Sequence, residues 1–311
     1  MILTRRSTQK ICYQSKKIVA GRNCCCLRLE ITVYLYYMID YSSYFTANKH
    51  LWNQRTSVHK DAAFYNLTGF KAGSTILTPI ELNELGDPEA SGQVINGKKM
   101  LHLQCHFGMD SLNWARLGVD VTGVDLSDEA IKEAQKLNDE LGLNAKFICC
   151  NVYDTSAYVK EQFDIVFTSY GTIGWLPDLQ PWAKMIVEKL KPGGIFYLAE
   201  FHPVVWMFDN DFTRIEYAYN NQAVIVTENE GTYTDRNADI KGKEYSWNHS
   251  ISEVLNALIG AGLSIEMFNE HMYSPYPCFR NVIEFETGKW HIIGMEGKIP
   301  MVYSLKAKKA G

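Results

Sequence analysis

The chain has 311 residues, 46% of them hydrophobic and 21% charged, with a formal net charge of −4 at neutral pH. That is the composition of a globular protein able to bury a sizeable core, and its charge gives no electrostatic reason to expect nucleic acid or an anionic membrane as partner. No run of 18 apolar residues occurs, so no membrane-spanning helix is expected.

Residues 1–37 differ from the rest. Arg5, Arg6, Lys10, Lys16, Lys17, Arg22 and Arg28 stand against one acid, Glu30, a net +6 that leaves the remainder near −10. Three readings compete for this leader. A secretory signal needs an uninterrupted apolar stretch, which Arg28 and Glu30 break. A basic transit peptide is the second. The third, and the expectation carried forward, is a non-native leader with Met38 as the natural start, poorly packed. Of eight cysteines, four fall in this leader; the others are Cys105, Cys149, Cys150 and Cys278. No CxxC pair exists, so no metal site is expected, and a reducing, cytoplasmic compartment fits best.

Residues 38–97 read as an N-terminal helical cap. Tyr44–Asn66 is largely helical, with Trp52, Arg55, His59 and Tyr65 along it. Turn residues then crowd Gly86–Gly97. From residue 98 to 200 strands and helices alternate. Lys99–Leu103 is the first strand, and Asp110–Leu117 a helix closed by Gly118. Val119–Val124 is the second strand. Ser127 caps a helix with Ala130, Ile131, Ala134, Leu137 and Leu141 on one face. Ala145–Cys150 is the third strand, and Phe163–Ser169 a fourth, apolar enough to be buried on both faces. Leu179, Trp182, Met185, Ile186 and Leu190 form the next helix stripe. Lys191–Gly194 turns the chain into a fifth strand, Ile195–Glu200. Such alternation predicts a doubly wound α/β sheet, seven-stranded and mixed, with helices on both faces.

The pattern breaks at residues 201–248, an aromatic-rich insert with Ala223–Thr227 as a hairpin arm. Residues 249–311 return to the sheet. Ser250 and Glu253 make a capping box for a helix through Leu258. A strand near Leu263–Phe268, a hairpin over Asn281–Ile293 and a last strand, Pro300–Lys306, complete the chain.

Ligands of open parallel sheets sit beyond the carboxyl ends of the strands. There the chain places His106, Phe107 and Gly108 after strand one, Asp125 and Leu126 after strand two, and Asn151 and Val152 after strand three. Tyr170 follows strand four, with Glu200 and His202 after strand five. Asp125 stands 17 residues after Gly108. That is the place for a carboxylate that accepts both hydroxyls of a ribose, although it could also cap the helix that follows. Asn151 has an amide able to pair with an adenine edge, or to serve as a turn residue. Gly108 permits either close approach of backbone to ligand or unusual turn dihedrals.

These residues resemble those of the class I S-adenosylmethionine-dependent methyltransferases, over Lys99 to about Gly194. Family members carry a first strand and turn of type Val-Leu-Asp-Leu-Gly-Cys-Gly-Thr-Gly. Here His102 replaces the acid, and Gln104 and His106 replace two glycines, while Gly108 matches the last. The family's ribose acid falls on Asp125 and its adenine-contacting acid on Asn151. Phe163-Asp164-Ile165-Val166 matches the fourth strand, and Leu190–Gly194 the turn before the fifth. The resemblance implies S-adenosyl-L-methionine as cofactor, with His106 and Phe107 against its methionine part, and methyl transfer to an acceptor taken to be a small molecule. His202 is the first candidate base, with Glu200 and Tyr170 as alternatives. Trp175, Trp206 and Tyr170 are candidates for the acceptor wall, and the 201–248 insert and the N-terminal helix for lids. Two other readings use the same residues. One is a catalytically degenerate adenosylmethionine-binding module. The other is an NAD-dependent oxidoreductase, against which the missing GxGxxG turn argues.

Overall fold

The computed structural model describes residues 40–311 apart from Gln93, so the leader and the Met38 start lie outside the described residues. An N-terminal helix, α1 (Ser42–His59), precedes the sheet. Strands β1 (Lys99–Leu103), β2 (Asp120–Asp125), β3 (Lys146–Cys149) and β4 (Phe163–Ser169) follow. Between them run α2 (Met109–Arg116) and α3 (Asp128–Glu140), and α4 (Leu179–Lys189) leads into β5 (Leu190–Phe201). The remainder is a hairpin of β6 (Ile225–Glu230) and β7 (Lys241–Ser246), then α5 (Ile251–Gly260) and β8 (Leu263–His271). A second hairpin, β9 (Val282–Glu286) and β10 (Lys289–Ile292), precedes β11 (Val302–Lys309).

Seven strands form one sheet in the order β3-β2-β1-β4-β5-β11-β8. The first five are parallel, and β11 lies antiparallel between β5 and β8. Alternation along the strands divides the core. Leu101, Val166 and Leu198 face α4 and α5, through Trp182, Ile186, Val254 and Leu258. Met100, Phe167 and Tyr197 face α2 and α3, through Leu112, Trp114 and Leu137. Both faces of the central strands are therefore buried, which is why they read as unbroken apolar runs.

Three local expectations are revised. Residues Lys191–Gly194 do not turn the chain before the fifth strand; β5 begins at Leu190, with an irregular register against β4 between Phe163 and Ile165. The last strand runs over Val302–Lys309, not Pro300–Lys306. At α5, Ser250 accepts the Glu253 N–H, but the Glu253 carboxylate meets His249 Nδ1 at 2.9 Å and does not return to Ser250 to close a capping box.

α1 and the β6–β7 hairpin, nearly 200 residues apart, are stitched together. Asn48 donates to the Tyr245 carbonyl at 2.8 Å and accepts the Tyr245 N–H at 3.0 Å. Arg55 pairs with Glu244 at 2.6 Å, and Tyr44 stacks on Tyr245 with centroids 4.4 Å apart. α1 also meets α3: Ser127 donates to Asn53, Asn53 donates to Asp128, and Lys60 pairs with Glu133. Helix and hairpin thus form one cap over the carboxyl ends of the parallel strands. No helix among the described residues is long and apolar enough to cross a membrane.

Gly108 is held by packing as well as by its φ of +80°. A Cβ there would lie 2.7 Å from the Phe147 ring and 2.8 Å from Ala134. Gly108→Ala is therefore expected to lower stability by about 2–4 kcal/mol, combining left-handed strain with overpacking. Urea denaturation of the two proteins measures this directly.

Candidate active site

The strand ends and the cap line a cavity of about 560 Å³ that is partly open to solvent. Its floor is the turn from Gln104 to Gly108. Gln104 and His106, which stand where two glycines were expected, have φ of 54° and 51°. The turn therefore adopts the left-handed geometry glycines would allow, while carrying two side chains, at the cost of backbone strain. Gln104 Nε2 donates to the Thr172 carbonyl at 2.9 Å, tying the turn to the end of β4. Its Oε1 is buried without a partner among the described residues, an acceptor left for a ligand.

Asp125 ends β2 and lines the cavity beside this turn. Its Oδ2 accepts the His106 N–H and its Oδ1 the Ser127 N–H, each at 2.8 Å. Each oxygen keeps a lone pair. Burial pushes this carboxyl above its ordinary pKa, opposed by the backbone N–H groups. The helix cap is supplied by Ser127, which accepts the Ala130 N–H at 3.0 Å. Leu126, Asn151 and Val152 complete this end. Asn151 Oδ1 accepts the Tyr153 N–H, so the residue does serve as a turn cap, and its Nδ2 remains to donate. Phe107 lies against Tyr65 with centroids 4.7 Å apart and is 2% exposed, more core than surface.

The three candidate bases fare differently. Tyr170 lines the cavity, but its hydroxyl donates to Glu81 at 2.9 Å. Glu200 does not line the cavity. Its carboxylate accepts the N–H groups of Gly171, Thr172, Ile173 and Phe201 and the Thr172 hydroxyl. His202 is also outside it: Nε2 lies 3.0 Å from Glu270, and Nδ1 accepts the Val204 N–H at 3.2 Å. Burial lowers the His202 pKa, with Glu270 opposing. Neither Glu200 nor His202 reaches a molecule in the cavity, because backbone and neighbouring side chains already use their polar atoms.

Asp110, which the sequence did not single out, does line the cavity. It is the acid in the first turn of α2, a position that helix capping explains equally well in sequence. Its Oδ2 accepts the Ser169 hydroxyl at 3.0 Å, and burial raises its pKa to about 6. Asp110 and Asp125 give the cavity two carboxyls facing inward. The Arg55 guanidinium on the cap is paired with Glu244 and lies 5.1 Å from the Trp52 ring centroid. His102, in place of the expected acid, is structural: Nδ1 meets Ser111 Oγ at 2.7 Å and the ring packs on Phe167. Trp175, Trp206 and Tyr170 all line the cavity, joined by Phe201, Phe212 and Phe279 at its far end.

These buried groups fix a pH dependence of stability. Burial lifts Glu81 to about 7. A raised carboxyl contributes stability at low pH that is lost as pH rises through the folded pKa. Burial also holds His59, His102 and His106 at about 2, 3 and 3, so these stabilise above the unfolded histidine pKa and less as pH falls below it. In the unfolded chain the histidines titrate at about pH 6.5, so they are neutral in both states only above about pH 7.5. As pH rises toward neutrality the raised carboxyls of Glu81 and Asp110 lose stability while the histidines gain it, so the carboxyl contribution shows as a difference between proteins. Chemical denaturation from about pH 5 to 8 should find that Glu81→Gln loses less stability with rising pH than the unaltered protein.

Residues 100–194 match the family model described as a methyltransferase domain. The match covers the stretch from β1 into β5, and the fold is shared with solved S-adenosylmethionine-dependent methyltransferases. Two solved structures with this fold are an S-adenosylmethionine-dependent methyltransferase from Methanosarcina mazei and the complex of DhpI with S-adenosylhomocysteine. The first has a TM-score of 0.52 at 19% identity, covering 75% of this chain and 98% of that one. The second has a TM-score of 0.52 at 16% identity, covering 86% and 98%. Among relatives by sequence, ubiquinone biosynthesis O-methyltransferases of Shewanella and Proteus mirabilis are 27% and 30% identical. The alignments cover 50% and 38% of this chain. The matched stretch spans 64% and 46% of those proteins' own lengths.

Proposed function

We propose that this protein transfers a methyl group from S-adenosyl-L-methionine to a hydroxyl of a small, planar acceptor. The observation that carries the reading is Asp125. It is a cavity-lining carboxyl at the end of β2, held by the backbone of a glycine-type turn, with one lone pair free on each oxygen. In this reading Asp125 binds the ribose hydroxyls, Leu126 and Val152 flank the adenine, and the Asn151 amide donates to it. Asp110 and the unpaired Gln104 oxygen face the methionine part, where a carboxylate suits its positive charge. The cavity suits a nucleoside that carries no phosphate, since the turn presents side chains where a pyrophosphate needs bare backbone N–H groups.

When bound, the cofactor supplies a methyl group already activated on a sulfonium. The protein's task is then to position the acceptor and exclude water. α1 and the 201–248 insert perform both, walling the far end with Trp206, Phe212 and Phe279. The aromatic lining favours a flat acceptor, and the O-methyltransferase names of the relatives favour a hydroxyl. Free cysteines at 105, 149, 150 and 278 suit a reducing, cytoplasmic setting.

Calorimetry with S-adenosylmethionine, S-adenosylhomocysteine and NAD tests this. Both adenosyl compounds should bind and NAD should not. Failure of both adenosyl compounds to bind overturns the reading. Binding without turnover on a panel of planar phenols would instead give a binding module.

A further inference from the structure

His106 replaces a glycine of the cofactor turn at a left-handed φ of 51°, where a side chain is strained and glycine is not. Its imidazole lines the cavity. Nε2 lies 3.0 Å from His59 Nδ1 on α1, and His59 Nε2 lies 2.6 Å from Thr232 Oγ1, just after β6 in the cap. Thr232 Oγ1 lies 3.3 Å from Thr234 Oγ1, in a turn flanked by the exposed residues Tyr233 and Asp235. His106 Nδ1 has no hydrogen-bond partner among the described residues. A continuous chain of exchangeable groups thus runs from the cofactor turn through the buried His59 of the N-terminal helix to Thr232, which also lines the cavity, and on to the half-buried Thr234 in the insert.

We propose that His106, His59 and Thr232 form a proton wire that carries the acceptor's proton from the cofactor turn to the surface turn of the cap. The proposal rests on the methyl-transfer reading above. As the acceptor oxygen bonds to the methyl carbon, its proton passes to His106 Nδ1. His106 Nε2 releases its proton to His59 Nδ1, and His59 Nε2 releases its own to Thr232 Oγ1. The Thr232 hydroxyl proton leaves through Thr234 to water. The electron pair of the broken carbon–sulfur bond stays on sulfur, which becomes neutral, so one methyl group is transferred and one proton leaves. After product release, rotation of the two imidazoles and of the Thr232 hydroxyl restores the starting arrangement with no further proton exchanged.

A wire suits these rings better than a stationary base does. Burial and the nearby Arg55 keep both imidazoles neutral, at about 3 for His106 and about 2 for His59. A concerted shift never leaves a full imidazolium in the cavity wall. The hydroxyl of Thr232 can donate or accept, so the chain can point either way. That two-way state is what relay requires. The other candidate bases are committed elsewhere: Tyr170 to Glu81, Glu200 to backbone N–H groups and His202 to Glu270.

The test is nitrogen NMR of the full chain with labelled histidine, beside kinetics with 3,4-dihydroxybenzoate as probe acceptor. Both rings should stay neutral from pH 5 to 9, with a through-hydrogen-bond coupling between His106 Nε2 and His59 Nδ1. Thr232→Val should shift the ring nitrogens of His59 and, two links away, of His106, and Thr232→Ser should restore both. A structural contact would move His59 alone. His106→Gly, which relaxes the turn, should lower kcat by about 100-fold while S-adenosylhomocysteine still binds. The proposal is overturned if either ring titrates above pH 5, if His106 ignores Thr232→Val, or if His106→Gly turns over normally. Loss of S-adenosylhomocysteine binding by the unaltered protein would instead bring down the parent reading.

Discussion

Asp125→Ala is expected to weaken S-adenosylhomocysteine binding by about 1–3 kcal/mol, roughly 5–150-fold in Kd. The carboxylate would lose two charge-assisted hydrogen bonds to the ribose, and nothing else at the end of β2 replaces them. Asp125 also anchors the turn through the His106 and Ser127 N–H groups, so the variant should be modestly less stable as well. The two effects separate by calorimetry at a temperature where both proteins are folded. Asp125→Asn sharpens the comparison, since its amide oxygen can still accept one N–H while the charge is gone. An unchanged Kd in a folded Asp125→Ala protein would remove the ribose role.

Glu200→Ala is expected to fail differently. In sequence Glu200 looks like a base at the end of the fifth strand. In the folded chain it gathers the N–H groups of Gly171, Thr172 and Ile173 and its neighbour's N–H at Phe201. Removing it would leave several buried donors unpaired, each costing ~1–3 kcal/mol before water relieves part of the loss. A net destabilisation of about 3–5 kcal/mol is expected, and a fall in Tm of roughly 10 °C. Thermal denaturation followed by circular dichroism measures it. Cofactor affinity per folded molecule should change little, because the carboxylate does not line the cavity. Equal stability with lost turnover would restore Glu200 as a base.

The legible parts of this protein are those governed by local periodicity. The runs Lys99–Leu103 and Phe163–Ser169 are strands with the ends expected of them, because buried parallel strands need consecutive apolar side chains. Ser127 caps α3 as its type and place require. Asp125 lies at a strand end because seventeen residues after Gly108 suffice for one helix and one strand. Its neighbours Leu126, Asn151 and Val152 follow from the same rule of strand ends.

The rest depended on contacts between distant segments. Local sequence placed Glu200 and His202 at the end of the fifth strand but could not say which way their polar atoms point. Glu270, 68 residues on, and the turn after β4 decide that. The missing glycines at Gln104 and His106 looked like altered backbone; the turn kept the backbone and changed only its side chains. Asp110 was hidden because an acid in a helix's first turn already has a local explanation. His59 acquired its place only when α1 and the hairpin closed on one another through Asn48, Arg55 and Tyr245. Sequence by itself determined which residues form strands and which stand at their ends, since hydrophobic burial acts over a few residues at a time. Tertiary structure decided which of those residues reach the cavity, since a side chain's hydrogen-bond partners are set by whichever segments folding brings beside it.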